Sequence, residues 1–296
     1  MRVSIDELER AAAGGWRAPE ETTLGHWLLR AADGFTGRAN SALAVGDPGL
    51  PLTAAITEVC RWYRAHGLPP MVAIPYPLGQ PQSNAIDRFL GDELGWPVRP
   101  GAATVMTADP GEVAARAAGG GATAGAAAGT GGGPAAGAAT GAAARTPPDV
   151  DIDAEPDQGW LALYRFRGRR PPPIARRLLL SAPWQAFASV REAGDTLAIG
   201  RVAVAGNWAG LTAVEVHPRH RRRGLGGAVT AALAAAAAAR GAAGLYLQVE
   251  DDNGAARALY RRAGFADHHG YHYRVAPTRP HRRAAASGRT RAPAPR

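Results

Sequence analysis

Three consecutive arginines, Arg221, Arg222 and Arg223, run directly into Gly224-Leu225-Gly226-Gly227, and the Ala-rich stretch that follows reads as a helix with Leu225, Val229 and Leu233 at four-residue spacing. Helix N-termini leave backbone N–H groups unpaired and carry a partial positive charge, so a cationic, glycine-rich entry into a helix suits an anion shaped like a pyrophosphate. Glycine also lets the backbone approach such a ligand closely. The competing reading is a solvated charge run, Arg219 to Arg223, ahead of an ordinary helix start. Against it, stacked arginines at a positive helix end repel one another and the dipole. Just upstream, Val214-Glu215-Val216 closes an apolar strand, and alternation places the Glu215 carboxylate on the face opposite its two valines.

The elements that must position these groups follow from periodicity. Trp160 to Arg167 and Ile174 to Leu180 read as short helices broken by the prolines at 171–173. AFASVRE, TLAIGRVAVA and GLTAVEV form an antiparallel meander with turns at AGD and GNW. A helix over Gly224 to Arg240, a buried strand over Leu245 to Val249, a helix over Asn253 to Ala263 opened by the capping Asn253, and a closing strand or hairpin over Phe265 to Val275 complete this half. A strand–helix–strand crossover demands a parallel pair, so the sheet is expected to be mixed.

This order, with R-x-x-G-x-G at Arg221, Gly224 and Gly226 and N-x-x-A-x-x-x-Y-x-x-x-G-F at Asn253, Ala256, Tyr260, Gly264 and Phe265, resembles the GNAT superfamily of acyl-CoA-dependent N-acetyltransferases. The resemblance implies an α/β (α+β) GNAT fold, a mixed central sheet flanked by helices, and acetyl-CoA as co-substrate. It assigns coenzyme contacts to Val214, Val216, Arg221, Arg222, Arg223, Gly224, Leu225, Gly226, Gly227 and Asn253. Acyl transfer to an amine needs a base for the ammonium, donors for the carbonyl oxygen and a proton for the departing thiolate. The resemblance places the donors on the backbone of Val214 to Val216 and the acid at Tyr260, whose phenol has a reference pKa of about 10 against about 8.5 for a thiol. Some relatives carry a basic Glu where this chain has Gln248. Glu215 then leads as base, with Glu250 as alternative, or Glu215 pairs with an arginine while water carries the proton.

The first half reads as a worn copy of the second: a hairpin from WLLRAADGF and ANSALAV, a helix over Leu52 to His66, a strand over Met71 to Pro75, a helix over Asn84 to Gly95 and a strand over Ala103 to Thr107. Asn84 and Gly95-Trp96 keep the separation of Asn253 and Gly264-Phe265. Gly91 stands where Tyr260 would be, and no R-x-x-G-x-G occurs here. GHWLLRAADGFTGRANSAL and QVEDDNGAARALYRRAGFADHHGYHYR together resemble a two-lobed GNAT group labelled either as N-acetylglutamate synthases or as histone-acetyltransferase-like proteins. Arg30, Arg38 and Asn40 either face an inter-lobe cleft and bind a carboxylate or hold the hairpin turn. The acceptor implied is a small amine such as an amino acid, glutamate included. The rivals are a protein lysine and, from another class, a regulator that binds acyl-CoA without catalysis.

Composition bounds the rest. From Gly111 to Thr146 the chain is almost wholly Ala, Gly and Thr, too poor in large apolar groups to offset ordering entropy. The expected organisation is therefore a degenerate lobe (1–109), a disordered linker (110–149), a catalytic domain (150–276) and a disordered basic tail (277–296). Lys is absent, so all 34 basic residues are Arg, and the net charge is +9; the tail holds 6 Arg and no acid, leaving 9 − 6 = +3 elsewhere, too little to argue for nucleic acid. One cysteine, Cys60, excludes an internal disulfide, and on a stripe with Ile56, Val59 and Tyr63 it reads as core. No apolar run approaches the ~18 residues of a membrane span, and the acidic start does not fit a signal peptide, so a soluble cytoplasmic protein is expected. His268 and His272 are placed on one strand face, but no third ligand accompanies them and no metal is expected.

Overall fold

The computed structural model describes residues 3–119 and 148–277. The first half contains α1 (Ile5–Gly14), β1 (Glu20–Leu24), β2 (Trp27–Ala31), β3 (Ala42–Leu43), α2 (Leu52–Ala65), β4 (Met71–Pro77), α3 (Ala85–Arg88, continued by a π turn over Phe89–Glu93), β5 (Val98–Ala108) and α4 (Pro110–Gly119). The second contains β6 (Asp151–Asp153), α5 (Gln158–Leu163), α6 (Ile174–Leu179), β7 (Trp184–Glu192), β8 (Asp195–Ala205), β9 (Trp208–Val216), α7 (Leu225–Ala239), β10 (Gly244–Glu250), α8 (Gly254–Arg262) and β11 (Ala266–Val275). No helix among the described residues is long and apolar enough to cross a membrane.

All eleven strands share one mixed sheet in the order β1-β2-β3-β4-β11-β5-β10-β9-β8-β7-β6. The crossover expected through α7 is present: β9 and β10 pair parallel, from Trp208↔Gly244 to Leu211↔Leu247. β7, β8 and β9 form the antiparallel meander. α7 covers it closely because β8 carries Gly200, where an added Cβ would lie 2.6 Å from Val229 and 2.8 Å from Leu233.

The halves do not end at separate sheets. β11 lies between β4 and β5, and β5 lies between β11 and β10, antiparallel at each contact. The units β4–α3–β5 and β10–α8–β11 thus each take the other's last strand into their middle. Both helices are opened by a capping Asn, Asn84 accepting from the Ile86 amide and Asn253 from the Ala256 amide, and both close at a glycine with positive φ, Gly95 (64°) and Gly264 (104°). At Gly91 an added Cβ would lie 2.8 Å from the Arg274 guanidinium, so that cation fills the space an aromatic side chain needs. Arg274 donates to Asp87 through Nε (2.7 Å) and Nη2 (3.0 Å), and His272 meets the same carboxylate at 2.6 Å, fixing β11 to α3. Burial pushes the Asp87 pKa up, but the hydrogen bonds from Arg274 and His272 outweigh it and hold the carboxyl below its ordinary range.

Several expectations need correction. The disordered linker does not begin at residue 110: Pro110–Gly119 is α4, started by Asp109, whose side chain accepts from the Glu112 amide at 2.9 Å. Val113 there is 2% exposed, in the cluster that holds Leu233 and Ala237 of α7, and one such burial is worth about 1.5–3 kcal/mol. Residues 120–147, the rest of the expected linker, and the tail beyond Pro277 lie outside the described residues. The first helix of the second half stops at Leu163 rather than Arg167. A register shift between Asp267 and His269 breaks the alternation that would put His268 and His272 on one face: His268 meets the Val3 carbonyl while His272 turns to Asp87. Cys60 is half-buried beside the cluster that includes Ile56, Val59 and Tyr63.

If the exchanged strands hold the molecule together, residues 150–277 made alone leave β10 with an open edge and β11 without either neighbour. That fragment is expected to be insoluble or to self-associate, and co-production with residues 1–119 to restore a soluble one-to-one complex. Soluble yield, size-exclusion and circular dichroism measure this; a well-folded monomeric fragment would show the exchange to be dispensable.

Candidate active site

Parallel pairing between β9 and β10 stops at Leu211 and Leu247, although β9 runs on to Val216 and β10 to Glu250. The cause lies on β9. Between Ile199↔Glu215 and Arg201↔Thr212, β8 advances two residues and β9 three, and Ala213 takes a positive φ of 55°. Such a bulge bends its strand and frees backbone groups from the ladder. Past it, Val214 and Val216 pack toward the cluster of α7 and α8. Glu215, opposite Ile199, faces the other side, where Ile199 joins Trp160 and Tyr164.

The gap opens into a cleft of about 1210 Å³, walled by Val214, Glu215 and Val216, the loop before α7, and Ala255, Ala256 and Leu259 of α8. Arg221, Arg222, Gly224, Leu225, Gly226 and Gly227 line it as well. Arg222 (φ 63°) and Gly224 (φ 83°) are left-handed, which glycine adopts without strain, and no side chain caps α7, so its first amides remain available to a ligand. An added Cβ at Gly224 or Gly227 would meet nothing within 4 Å, whereas at Gly226 it would come 3.3 Å from Leu259. Gly226 serves helix packing; Gly224 and Gly227 leave open space. His217 also lines the cleft, and its buried Nδ1 has no hydrogen-bond partner. This donor-rich, cationic cradle fits a coenzyme diphosphate.

Arg223, Asn253 and Tyr260 stand outside the cleft wall. Arg223 bonds Glu192 (3.2 Å) and His220 (2.7 Å), anchoring the loop. Asn253 caps α8. Tyr260 packs edge-on to Phe265 at 5.7 Å between ring centres, is 9% exposed, and burial pushes its phenol up to about 12.

Glu215 does border the cleft. Burial pushes its carboxyl up to about 7, against smaller opposing effects of the Arg165 amide, which donates to Oε1 at 2.8 Å, and of the Arg165 and Arg221 charges. A carboxylate titrating there can accept a proton near neutral pH. Glu250, the alternative base, is held by Arg167 at 2.5 Å. Arg165 and Arg167 were not singled out from sequence because the segment reads as helix; the Gly168 and Pro171 that follow were the available sign of a loop.

On the α1 side of the sheet, Arg38 and Arg30 line small cavities with Gln248, Tyr271 and Tyr273. Asn40 instead closes the hairpin turn, accepting from the Ala32 and Gly34 amides and donating to the Thr36 carbonyl. Arg30 is 4% exposed and donates to the Ser41 carbonyl. Among the described residues, no group of His, Cys, Asp and Glu side chains has the arrangement of a metal site.

A sequence model described as "Probable histone acetyltransferase Rv0428c C-terminal" matches residues 3–125 and 135–274. The chain is 27% identical over 279 residues to the uncharacterized N-acetyltransferase YobR of Bacillus subtilis (strain 168), covering 92% of this chain and 98% of that one. Among solved structures, a GCN5-related N-acetyltransferase from Kribbella flavida shares the fold with a TM-score of 0.61 at 17% identity, covering 94% of this chain and 97% of that one. A tandem GNAT protein from the clavulanic acid biosynthesis pathway does so with a TM-score of 0.55 at 14% identity, covering 81% and 76%. With the glycine-rich loop and α8 walling one cleft and the family match spanning both halves, the chain belongs to this acetyltransferase family and is a GNAT-type N-acetyltransferase.

Proposed function

We propose that the second half of the chain transfers the acetyl group of acetyl-CoA to a small primary amine, with Glu215 as general base, and that the first half is a degenerate GNAT-like lobe. The observation that carries this reading is Glu215 itself: a carboxyl raised to about 7, at the mouth of the gap between β9 and β10, bordering the phosphate-suited loop. Acetyl-CoA, when bound, supplies the acyl carbon as an activated thioester. Arg221, Arg222 and the first amides of α7 would hold its diphosphate, and the backbone of Val214 to Val216, past the end of pairing with β10, would donate to the carbonyl oxygen. Glu215 takes the ammonium proton, directly or through one water, before the amine attacks. Tyr260 suits a narrower task than proton transfer. A phenol near 12 stays neutral and donates a hydrogen bond, but giving its proton to a thiolate whose acid has a pKa of about 8.5 is uphill.

The small recess beside the gap, lined by Thr36, Gly37 and Arg38 of the hairpin turn, supports a small acceptor over a protein lysine. The family's description names a probable histone acetyltransferase, so a protein acceptor is the second reading. Thiol release with an amine panel and product mass separates them: turnover of free amines supports the first, acetylation confined to protein the second.

Two predictions follow from these roles. Arg221→Ala is expected to raise the acetyl-CoA dissociation constant by about tenfold, the size of one charge-assisted contact, with kcat changed less than threefold. Calorimetry and saturation kinetics measure it, and unaltered affinity would remove the loop from coenzyme binding. Glu215→Gln is expected to lower kcat by about 10² to 10⁴ and abolish the limb that rises with pH near 7, while Tyr260→Phe costs about tenfold. The folded state also retains the Glu215 proton between the ordinary 4.5 and about 7, so stability falls as pH rises through that window. Glu215→Gln should remove that fall in a series of melting curves; a wild-type pH profile in both activity and melting would dismiss Glu215 as the base.

A further inference from the structure

A second cavity, of about 150 Å³, lies at the sheet's α1-side surface and meets the coenzyme cleft at Arg167, which lines both. It is a half-open recess with room for a small molecule such as a free amino acid. Three guanidinium groups reach it, Arg38, Arg99 and Arg167, against one carboxylate, Glu250. Arg167 and Glu250 satisfy each other at 2.5 Å. Arg38 and Arg99 have no acidic partner among the described residues. Arg38 lies 5.5 Å over the Trp16 ring; Arg99 lies 5.9 Å over the Tyr273 ring, with only the Met71 sulfur, 3.5 Å away, as an acceptor. They come from distant parts of the chain, and Gly37 lets them converge: an added Cβ there would stand 3.1 Å from Arg99 Nη1. On the same wall, Thr36 is 6% exposed and its buried hydroxyl has no hydrogen-bond partner.

Arg201 and Arg274 differ in being tied to protein atoms. Arg201 has the Leu179 and Gly15 carbonyls, and Arg274 has Asp87. Arg38 and Arg99 are half-buried, so they leave two guanidinium forks free to meet an anion beside the orphan Thr36 hydroxyl. A planar carboxylate matches a guanidinium fork better than any other small anionic group on an amine.

We propose that this cavity is the acceptor's carboxylate subsite, in which Arg38 and Arg99 bind the acid group of a free amino acid and Thr36 adds a hydrogen bond. The amino end then lies toward Arg167, Glu250 and the gap beside Glu215. This deepens the acetyltransferase reading above and rests on it for the acceptor's role, while the subsite itself is a matter of binding. It also separates the three residues singled out from the hairpin: Arg38 binds, Arg30 borders a neighbouring recess but is tied to Ser41, and Asn40 holds the turn.

The test is calorimetric titration of the full chain, preloaded with CoA, with the twenty amino acids and the corresponding amino acid amides. Melting curves of every variant check folding. At least one acid is expected to bind at least tenfold more tightly than its amide. Arg38→Met and Arg99→Met are each expected to weaken that acid by tenfold or more without changing CoA affinity, and Arg38→Lys and Arg99→Lys, which keep the charge but lose the fork, to give intermediate losses. Equal affinity for acid and amide, no binding by any amino acid, or indifference of folded Arg38 and Arg99 variants would overturn the subsite. Thiol release in the same panel answers a different question: turnover of amides as readily as acids would leave a small-amine acetyltransferase without this subsite, and acid binding without turnover would leave the subsite without that reaction.

Discussion

The parting of β9 from β10 is the constraint on which the rest of the molecule turns. Parallel strands hydrogen-bond continuously unless something forces them apart, and here one extra residue on β9, with Ala213 in a left-handed conformation, does so. Three consequences follow together. Val214 to Val216 lose their ladder partners on the β10 side while Glu215 and Val216 stay paired with β8, the first turn of α7 is brought to the same opening, and Glu215 faces the α1 side while its neighbours face α7 and α8. A sheet is normally a wall between two solvent faces. Here the cleft by the phosphate-suited loop and the arginine-lined recess meet at Arg167, which lines both.

Charge divides the two sides in different ways. On the loop side, arginines and helix amides concentrate positive potential in an open cleft, where solvent limits the cost. On the cavity side the arginines differ in burial and in whether protein atoms satisfy them. Arg201 is fully buried, and burial pushes it down to about 10, which still leaves it protonated at neutral pH. Its carbonyl partners join the end of α1 and the end of α6 to β8, so it acts as a structural tie. Arg38 and Arg99 lack such carbonyl or carboxylate partners among the described residues, which is what the proposed binding role rests on.

The chemistry-bearing segments were legible in sequence because they are local. The glycine-rich helix entry, the capping Asn253 and the alternation around Glu215 each depend on a dozen residues or fewer, and the structure reproduces the strands and helices read from them. Two helices went unread although their start signals were present: Ser4 with Glu7 before α1, and Asp109-Pro110 before α4. In the second case a composition poor in large apolar residues hid the one that matters, Val113. What no local pattern carries is the exchange of β5 and β11. Their alternation fits any neighbour, and the choice of partner depends on contacts such as Asp87 with Arg274, 187 positions apart. Arg99 lies outside the strand expected over Ala103 to Thr107, and only the longer β5 and its exchanged pairing bring that residue beside β11.

That exchange also gives the first half a physical part in a reaction for which it has no phosphate loop of its own. β5 pairs with β10 along Leu245 to Glu250, so the strand that carries Gln248 and Glu250 is supported on one side entirely by the first half. Thr104 donates to Asp251 at 2.6 Å, and the Asp251 amide donates to the Ala102 carbonyl at 3.0 Å, fixing the turn that leads from β10 into α8. The hairpin turn supplies Arg38 and the strand supplies Arg99 to the cavity. The first half needs no coenzyme site of its own to matter, because the second half's sheet is incomplete without β5 and the recess is unwalled without the hairpin turn. The same hydrogen bonds that stabilise the sheet therefore set the distance between coenzyme and acceptor sides.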